Sequence, residues 1–274
     1  MNRFFSLLAA LALMLLCVPA FPAQAEPLRI IAGTSLIEDI VHDLTDRKAE
    51  VITIINGSSC PGHESVRTTD FVFAAKADLV LIHAFQKNMP QITSMLESVN
   101  KADRRLVILD PKGSWLIPAI QKTAVKDIAE ALVELAPDLA DSIRDRAAKR
   151  LERINAAADE ATKSLAKIKG IHAIVAEMQS EFVGWAGVAV AATYGRAEEM
   201  TPKALAGLVD SAKGKNIAGV VDNYQSGAEA GLPLALELKV PHLVLSNFPG
   251  SSEDTMDYFS LLRHNVRQLL LLAM

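Results

Sequence analysis

Short runs of aliphatic residues alternate with amphipathic segments along most of the chain, and this alternation strongly constrains the fold. Most runs are continuous in Val, Ile, Leu and Ala, which is typical of parallel strands buried on both faces. The predicted strands are residues 28–33, 51–55, 79–83, 106–110, 173–177, 188–193, 219–222 and 243–246. The amphipathic segments predict helices at 36–46, 67–77, 86–99, 203–213 and 226–239. The pattern therefore predicts βα units in open parallel sheets, an α/β fold.

The middle of the chain interrupts this rhythm. Residues 119–136 predict a helix that ends before Pro137, and a charged helical pattern then continues over 138–168 until Gly170. The predicted strands fall evenly before and after it. We therefore expect two lobes, each a mostly parallel sheet with flanking helices, joined by one long rigid helix. The predicted parts are an N-terminal lobe at 26–137, a linking helix at 138–169 and a C-terminal lobe at 170–274. A coiled-coil arm is the alternative for the long helix.

Residues 1–25 have the features of a secretory signal peptide. Arg3 precedes an almost unbroken apolar run from Phe4 to Val18, and Ala23-Gln24-Ala25 is a typical cleavage site. We expect cleavage after Ala25 and export to the periplasm. The whole chain carries a formal net charge of −4, and loss of Arg3 makes the mature protein slightly more acidic. No basic block is present, so nucleic acid is not an expected partner.

The loop that follows the second predicted strand contains Cys60, His63 and Glu64. Open α/β sheets bind ligands at the carboxyl ends of their strands, which is where this loop lies. Thiolate and imidazole are suitable ligands for zinc and other borderline metals. With Cys17 removed, Cys60 is the only cysteine and has no partner for an internal disulfide. The alternatives are an ordinary turn, or a buried and inert thiol.

Further polar residues follow the other predicted strands, all at ends of the same polarity, so we expect them to face one another across a cleft. The candidate metal ligands are His63, Cys60, Glu181, Asp222 and His83. The candidate cleft residues are Glu64, Trp115, Met178, Gln179, Asn223, Gln225 and Asn247. Four of these residues have a structural alternative. Asp222 or Glu181 could cap a helix, His83 could make a local hydrogen bond, and Met178 could fill apolar space.

Several segments occur in an order typical of one family. They are Ile31-Ala32-Gly33-Thr34 with Ile40-Val41, Pro61-Gly62-His63-Glu64 with Thr69-Asp70 and Ala77-Asp78-Leu79, Asp110-Pro111 with Trp115-Leu116, Ala218 to Gln225, and Tyr258 to Asn265. In these features the chain resembles the zinc- and manganese-binding periplasmic proteins that supply metal ABC transporters. The resemblance covers nearly all of the mature sequence. It implies two α/β lobes bridged by one rigid helix.

The metal ligands depart from the family pattern. The resemblance implies three histidines and one carboxylate, and His63 matches the first histidine. The second would fall near Gly113, the third near Met178 or Gln179, and the carboxylate near Ser246 or Asn247, where no such residue stands. A site rebuilt from Cys60, His83, Glu181 and Asp222 would differ in character from the family's site.

We therefore expect an exported solute-binding protein of an ABC importer, and not an enzyme. Its transported ligand is a transition-metal ion, zinc or manganese by resemblance, bound in the cleft between the lobes. Its partner is a membrane permease, and the protein is expected to be a monomer. The first alternative is a metal chelate or small organic ligand, with Trp115, Tyr224 and Phe248 as apolar walls. A second is an exported enzyme with Cys60 as nucleophile and His63 as base. A third is a structural or adhesive role.

Overall fold

The computed structural model describes residues 26–61, 66–98 and 105–274. The predicted signal peptide, the predicted metal ligand His63 and the predicted cleft residue Glu64 lie outside these ranges. Within the described residues no helix is long and apolar enough to cross a membrane.

The first half of the chain forms a four-stranded parallel sheet in the order β2-β1-β3-β4. Its strands are β1 (Arg29–Thr34), β2 (Glu50–Ile55), β3 (Leu79–His83) and β4 (Arg105–Leu109). Its helices are α1 (Ser35–Leu44), α2 (Thr68–Ala74), α3 (Pro90–Ser98) and α4 (Pro118–Leu135). The central strands are buried on both faces, since no residue of β3 is exposed. The strand order changes direction between β1 and β3, and ligands of open α/β sheets bind at such a switch point.

The second half repeats this arrangement, with the strand order β6-β5-β7-β8. Its strands are β5 (His172–Ala176), β6 (Ala189–Tyr194), β7 (Ile217–Asn223) and β8 (His242–Leu245). Its helices follow the linking helix α5 (Ala140–Leu165) and are α6 (Ser180–Trp185), α7 (Pro202–Ala212), α8 (Tyr224–Gly227), α9 (Leu232–Leu238) and α10 (Tyr258–Leu270). All strand pairs in both sheets are parallel.

The linking helix α5 runs over Ala140–Leu165, and short 3-10 turns at Pro137–Leu139 and Ala166–Ile168 flank it. Its 26 residues span about 39 Å at 1.5 Å per residue. It packs against α1 and α4 of the N-terminal lobe and against α10 at the end of the chain. One continuous helix therefore contacts elements of both lobes.

The predicted fold class is confirmed: the chain has two parallel sheets with flanking helices and a long helix between them. The predicted helix at 226–239 is the main local difference, because the structure divides it into α8 and α9. Gly231 lies between them, and a Cβ there would lie 2.4 Å from the Tyr194 hydroxyl. Its N–H also donates to both carboxylate oxygens of Asp222, each at 3.0 Å. The helical periodicity of the sequence does not reveal these contacts, because Tyr194 and Asp222 lie outside the predicted helix.

Candidate functional site

A cavity of about 700 Å³ lies between the two lobes, at the carboxyl ends of both sheets. Eight of the predicted site residues that the structure describes are among those that line it. They are Cys60, His83, Trp115, Met178, Glu181, Asn223, Gln225 and Asn247. The structure thus brings side chains from both lobes to one cleft. Gln179 and Asp222 are not among the lining residues.

His83 ends β3 and belongs to an aromatic wall on the N-terminal lobe. Its ring centroid lies 4.1 Å from that of Trp115 and 5.2 Å from that of Phe85. Its Nε2 lies 2.8 Å from the Thr34 hydroxyl oxygen at the end of β1. Burial lowers the pKa of the His83 imidazole to about 3, so the ring is neutral at physiological pH. A neutral ring can ligate a metal, but here Nε2 already has a partner.

The loop after β4 reaches across the cleft to the C-terminal lobe. Gly113 has a φ of 95°, in the left-handed region that glycine adopts most readily. This turn directs the Ser114 N–H toward Glu181, whose Oε2 accepts a hydrogen bond of 2.6 Å. Trp115 follows, and its indole N–H donates to the Pro111 carbonyl at 3.2 Å. The carboxylate of Glu181 therefore sits in the cavity wall at the contact between the lobes.

Cys60 is half-buried, carries a free thiol and lines the cavity. It comes from the loop after β2, on the N-terminal lobe. Among the residues described by the structure, no three His, Cys, Asp or Glu side chains form a group suited to a metal ion.

Side-chain amides form the C-terminal wall of the cavity. Gln179 is fully buried, and its Nε2 donates to the side-chain oxygens of Asn223 at 2.9 Å and Asn247 at 3.0 Å. The Nε2 of Gln225 donates to the Gly57 carbonyl at 2.7 Å, while its Oε1 accepts from the Asn247 N–H at 3.0 Å. Gln179 was predicted to line the cleft, and the structure instead places it behind the wall, where it orients two lining residues.

Asp222 faces the interior of the C-terminal lobe, contrary to the expectation that it would face the cleft. Its carboxylate accepts from the Tyr194 hydroxyl at 2.5 Å and lies 2.5 Å from Nε2 of His242. Burial, followed by the nearby carboxylate, raises the pKa of Tyr194, which keeps this hydroxyl protonated as a donor. The Gly231 N–H also donates to both oxygens of Asp222, so the Asp222 carboxylate is hydrogen-bonded within the C-terminal lobe. His242, which supplies the Nε2 atom, lies at the start of β8.

The lobes are also joined by hydrogen bonds outside the cavity wall. The Ser35 hydroxyl donates to the Pro249 carbonyl at 2.7 Å, and the Tyr258 hydroxyl donates to the Leu116 carbonyl at 3.1 Å. Asn265, on the same helix as Tyr258, accepts from the Ser246 N–H and donates to the Ser246 carbonyl. Helix α10 thus holds the loops on both sides of the cleft in position.

Several lining residues were not among the predicted ones, and Phe85, Arg196 and Ser226 are three of them. Arg196 stands two residues beyond the carboxyl end of β6, so the same rule that selected the other residues would have found it. Phe85 lies two residues beyond β3, in a short 3-10 turn. Its ring is 54% exposed.

Residues 30–270 match the family model described as zinc-uptake complex component A, periplasmic (ZnuA). The chain belongs to this family. The resemblance inferred from the sequence motifs is therefore confirmed at the level of the family. No curated protein matches the sequence.

Solved structures of similar proteins share the fold. A cadmium-bound periplasmic metal binding protein from Candidatus Liberibacter asiaticus matches with a TM-score of 0.75 and 15% identity, over 88% of this chain and 97% of that one. A manganese-bound structure of the periplasmic metal binding protein from the same organism gives 0.73 and 14%, with the same coverage. A structure described as TroA gives 0.74 and 18%, over 90% of this chain and 100% of that one. At such identities the likeness concerns the fold.

Proposed function

We propose that the mature chain is the periplasmic binding protein of a metal ABC importer, and that it carries a transition metal in the cavity between its lobes. The observation that carries the proposal is the position of Cys60 and Glu181, which line one cavity from opposite lobes. Cys60 supplies a soft thiolate and Glu181 a hard carboxylate. His63 and Glu64, from the same loop as Cys60, complete the proposed set of protein ligands.

Family membership favours zinc as the cargo, since the matching model describes a zinc-uptake component. Solved structures of the same fold hold manganese or cadmium, so we propose a transition metal and name zinc as the first ion to test. The proposed partner is a membrane permease, to which a monomer delivers the ion. Because the cleft is crossed by several hydrogen bonds and one long helix contacts both lobes, loading changes the lobes by a small rocking movement.

Elemental analysis of the mature protein, purified without chelator, tests the proposal. Wild type is expected to hold about one equivalent of one transition metal, and Cys60→Ser, His63→Ala and Glu181→Gln are each expected to lose most of it. Glu237→Gln, an exposed carboxylate on α9, is the matched control and should retain the metal. Absence of metal in wild type, even after reloading with zinc, would contradict the proposal.

A second candidate is the same fold with a chelate or an organic ligand. It is favoured by one observation, the size and the partly apolar lining of the cavity, which includes Phe85, Trp115 and Phe248. An enzymatic role for Cys60 and His63 has no comparable support, since the matching family is described as an uptake component.

A further inference from the structure

The cavity is much larger than a metal ion alone requires. Zinc in a closed protein site lies about 2.0–2.3 Å from its ligands, so such a site has little empty volume. The cavity measures about 700 Å³, within the range of about 300–1,000 Å³ that is typical of small-molecule sites. The extra space is explained if a small organic ligand enters the cavity together with the metal.

The C-terminal wall of the cavity offers an unpaired cation. Arg196 is half-buried and lines the cavity, and within the described part of the chain its guanidinium has neither an ion pair nor a hydrogen bond. Lys112, the other basic lining residue, differs because its Nζ lies 2.7 Å from a carboxylate oxygen of Asp110. A guanidinium presents a planar set of donors that matches a carboxylate, so Arg196 is suited to an anionic group on a ligand.

Neutral donors stand on the same wall. The Asn247 side-chain oxygen accepts from Gln179, and its Nδ2 has no partner among the described residues. The Ser226 oxygen accepts from Nδ2 of Asn223 at 2.8 Å, which leaves the Ser226 hydroxyl proton free to be donated. Both residues line the cavity. The C-terminal wall therefore presents donors to an oxygen-rich ligand.

Both lobes also present apolar surface to the cavity. Phe85 of the N-terminal lobe is 54% exposed and Met178 of the C-terminal lobe is 51% exposed, although both line the cavity. Trp115, another lining residue, packs against His83. A bare ion gains nothing from this surface, whereas the carbon skeleton of an organic ligand would cover it.

We infer that the cargo is a metal bound to a small organic polycarboxylate, with a ligand carboxylate paired to Arg196 and the carbon skeleton against Phe85 and Met178. This inference rests on the proposed function, because it concerns the form in which the metal occupies the same cavity. Cys60 and Glu181 are among the protein's ligands to the metal, and the chelator supplies further oxygens. No covalent chemistry is involved.

Native mass spectrometry and calorimetry of the metal-free mature protein test the inference. The probes are zinc sulfate alone, citrate alone, and the preformed zinc complexes of citrate and nitrilotriacetate. We expect a ternary mass of protein, zinc and chelator, and an affinity for at least one chelate that exceeds the affinity for zinc alone at least tenfold. Arg196→Gln should weaken chelate binding at least tenfold and leave binding of zinc alone unchanged.

Two further variants keep the result interpretable. Arg196→Lys retains a charge and should recover part of the chelate affinity, while Arg267→Gln, on α10 and away from the cavity, should have no effect. Circular dichroism checks that each variant is folded. Binding of zinc alone, with no ternary species in wild type, would overturn the inference and leave the proposed function standing. Chelate binding that is unchanged in Arg196→Gln would also overturn it. Binding of neither zinc nor any chelate would overturn both.

Discussion

The backbone N–H of Ser114 and the carboxylate of Glu181 meet across the cleft at 2.6 Å. The two residues are 67 positions apart and belong to different lobes. Gly113 makes the contact feasible, because its positive φ turns the loop, and a Cβ there would lie 3.1 Å from Oε2 of Glu181. Glu181 therefore joins the two lobes and also lines the cavity.

Replacement of Glu181 by Gln should weaken metal binding much more than it weakens the fold. The amide keeps the shape and still accepts a hydrogen bond, so the free energy of unfolding should fall by less than about 1 kcal/mol at this exposed site. Loss of the anionic ligand should reduce zinc affinity at least tenfold. Calorimetry and urea denaturation measure the two effects, with Glu237→Gln as control. Unchanged zinc affinity would remove Glu181 from the proposed site.

Arg150 of the linking helix is buried and joins the lobes. Its guanidinium lies 2.6 Å from the carboxylates of both Asp39 and Asp43 on α1 and 5.4 Å from the Phe259 ring on α10. Arg150→Met would leave the buried Asp39 carboxylate without its cation, whereas Asp43 keeps Arg153 at 3.1 Å. We expect a loss of about 3–5 kcal/mol in the free energy of unfolding. Arg144→Met removes an exposed arginine from the same helix and should cost less than about 1 kcal/mol. Urea denaturation measures both, and equal small losses would contradict this account.

His83 should make the metal-free protein less stable in mild acid. The unfolded imidazole takes up a proton near pH 6.5, whereas burial keeps the folded ring neutral down to a pKa of about 3. Between these values the unfolded state binds more protons, so stability falls as the pH falls, by up to about 1.4 kcal/mol per pH unit from this group. The contribution is absent above pH 6.5.

His83→Gln removes this titration while keeping a polar group for Thr34. From pH 7.5 to pH 5, wild type should lose about 2 kcal/mol more than the variant, measured by urea denaturation of the metal-free proteins. His172→Gln, at an exposed position, is the matched control and should follow wild type. Parallel pH profiles for wild type and His83→Gln would show that His83 does not control the acid sensitivity.

Gly57 is a point of close approach between the lobes. A Cβ at this position would lie 2.1 Å from the Pro249 carbonyl oxygen and 2.4 Å from the Gly250 carbonyl carbon. Both are backbone atoms, so Gly57→Ala must separate the two loops and should cost about 1–3 kcal/mol. It should also weaken the bond from Gln225 to the Gly57 carbonyl. Thermal unfolding and cargo affinity measure the effect.

The control for Gly57 is Gly207 on the exposed part of α7, where a Cβ meets nothing within 4 Å. Gly207→Ala should stabilise the protein by about 0.5–1 kcal/mol, because alanine is the better helix former. A destabilising effect in both variants, or in neither, would argue against a steric contact specific to Gly57.

Ligands of open α/β sheets bind at the carboxyl ends of the strands, and this rule located much of the cavity wall from sequence. It did not distinguish side chains that face the cleft from those that face the interior of a lobe. Asp222 and Glu181 give the same signal, an acid close after a strand. Tyr194, Gly231 and His242 contact the carboxylate of Asp222, whereas the carboxylate of Glu181 accepts from the Ser114 N–H across the cleft. These partners come from distant positions, and no local pattern specifies them. Arg196 and Phe85 were omitted because an isolated Arg or Phe has many ordinary surface roles.

The sequence by itself determined the α/β class, the eight parallel strands, the long linking helix and the family, because aliphatic runs, helical periodicity and motif order are local or sequential properties. The tertiary structure decided how the cavity is lined. It determined which carboxylate faces the cavity, how Gln179 orients the two asparagine side chains of the wall, and where Arg196 stands. Those features depend on contacts between residues far apart in the chain, and their geometry is set only when the two sheets and the linking helix pack together.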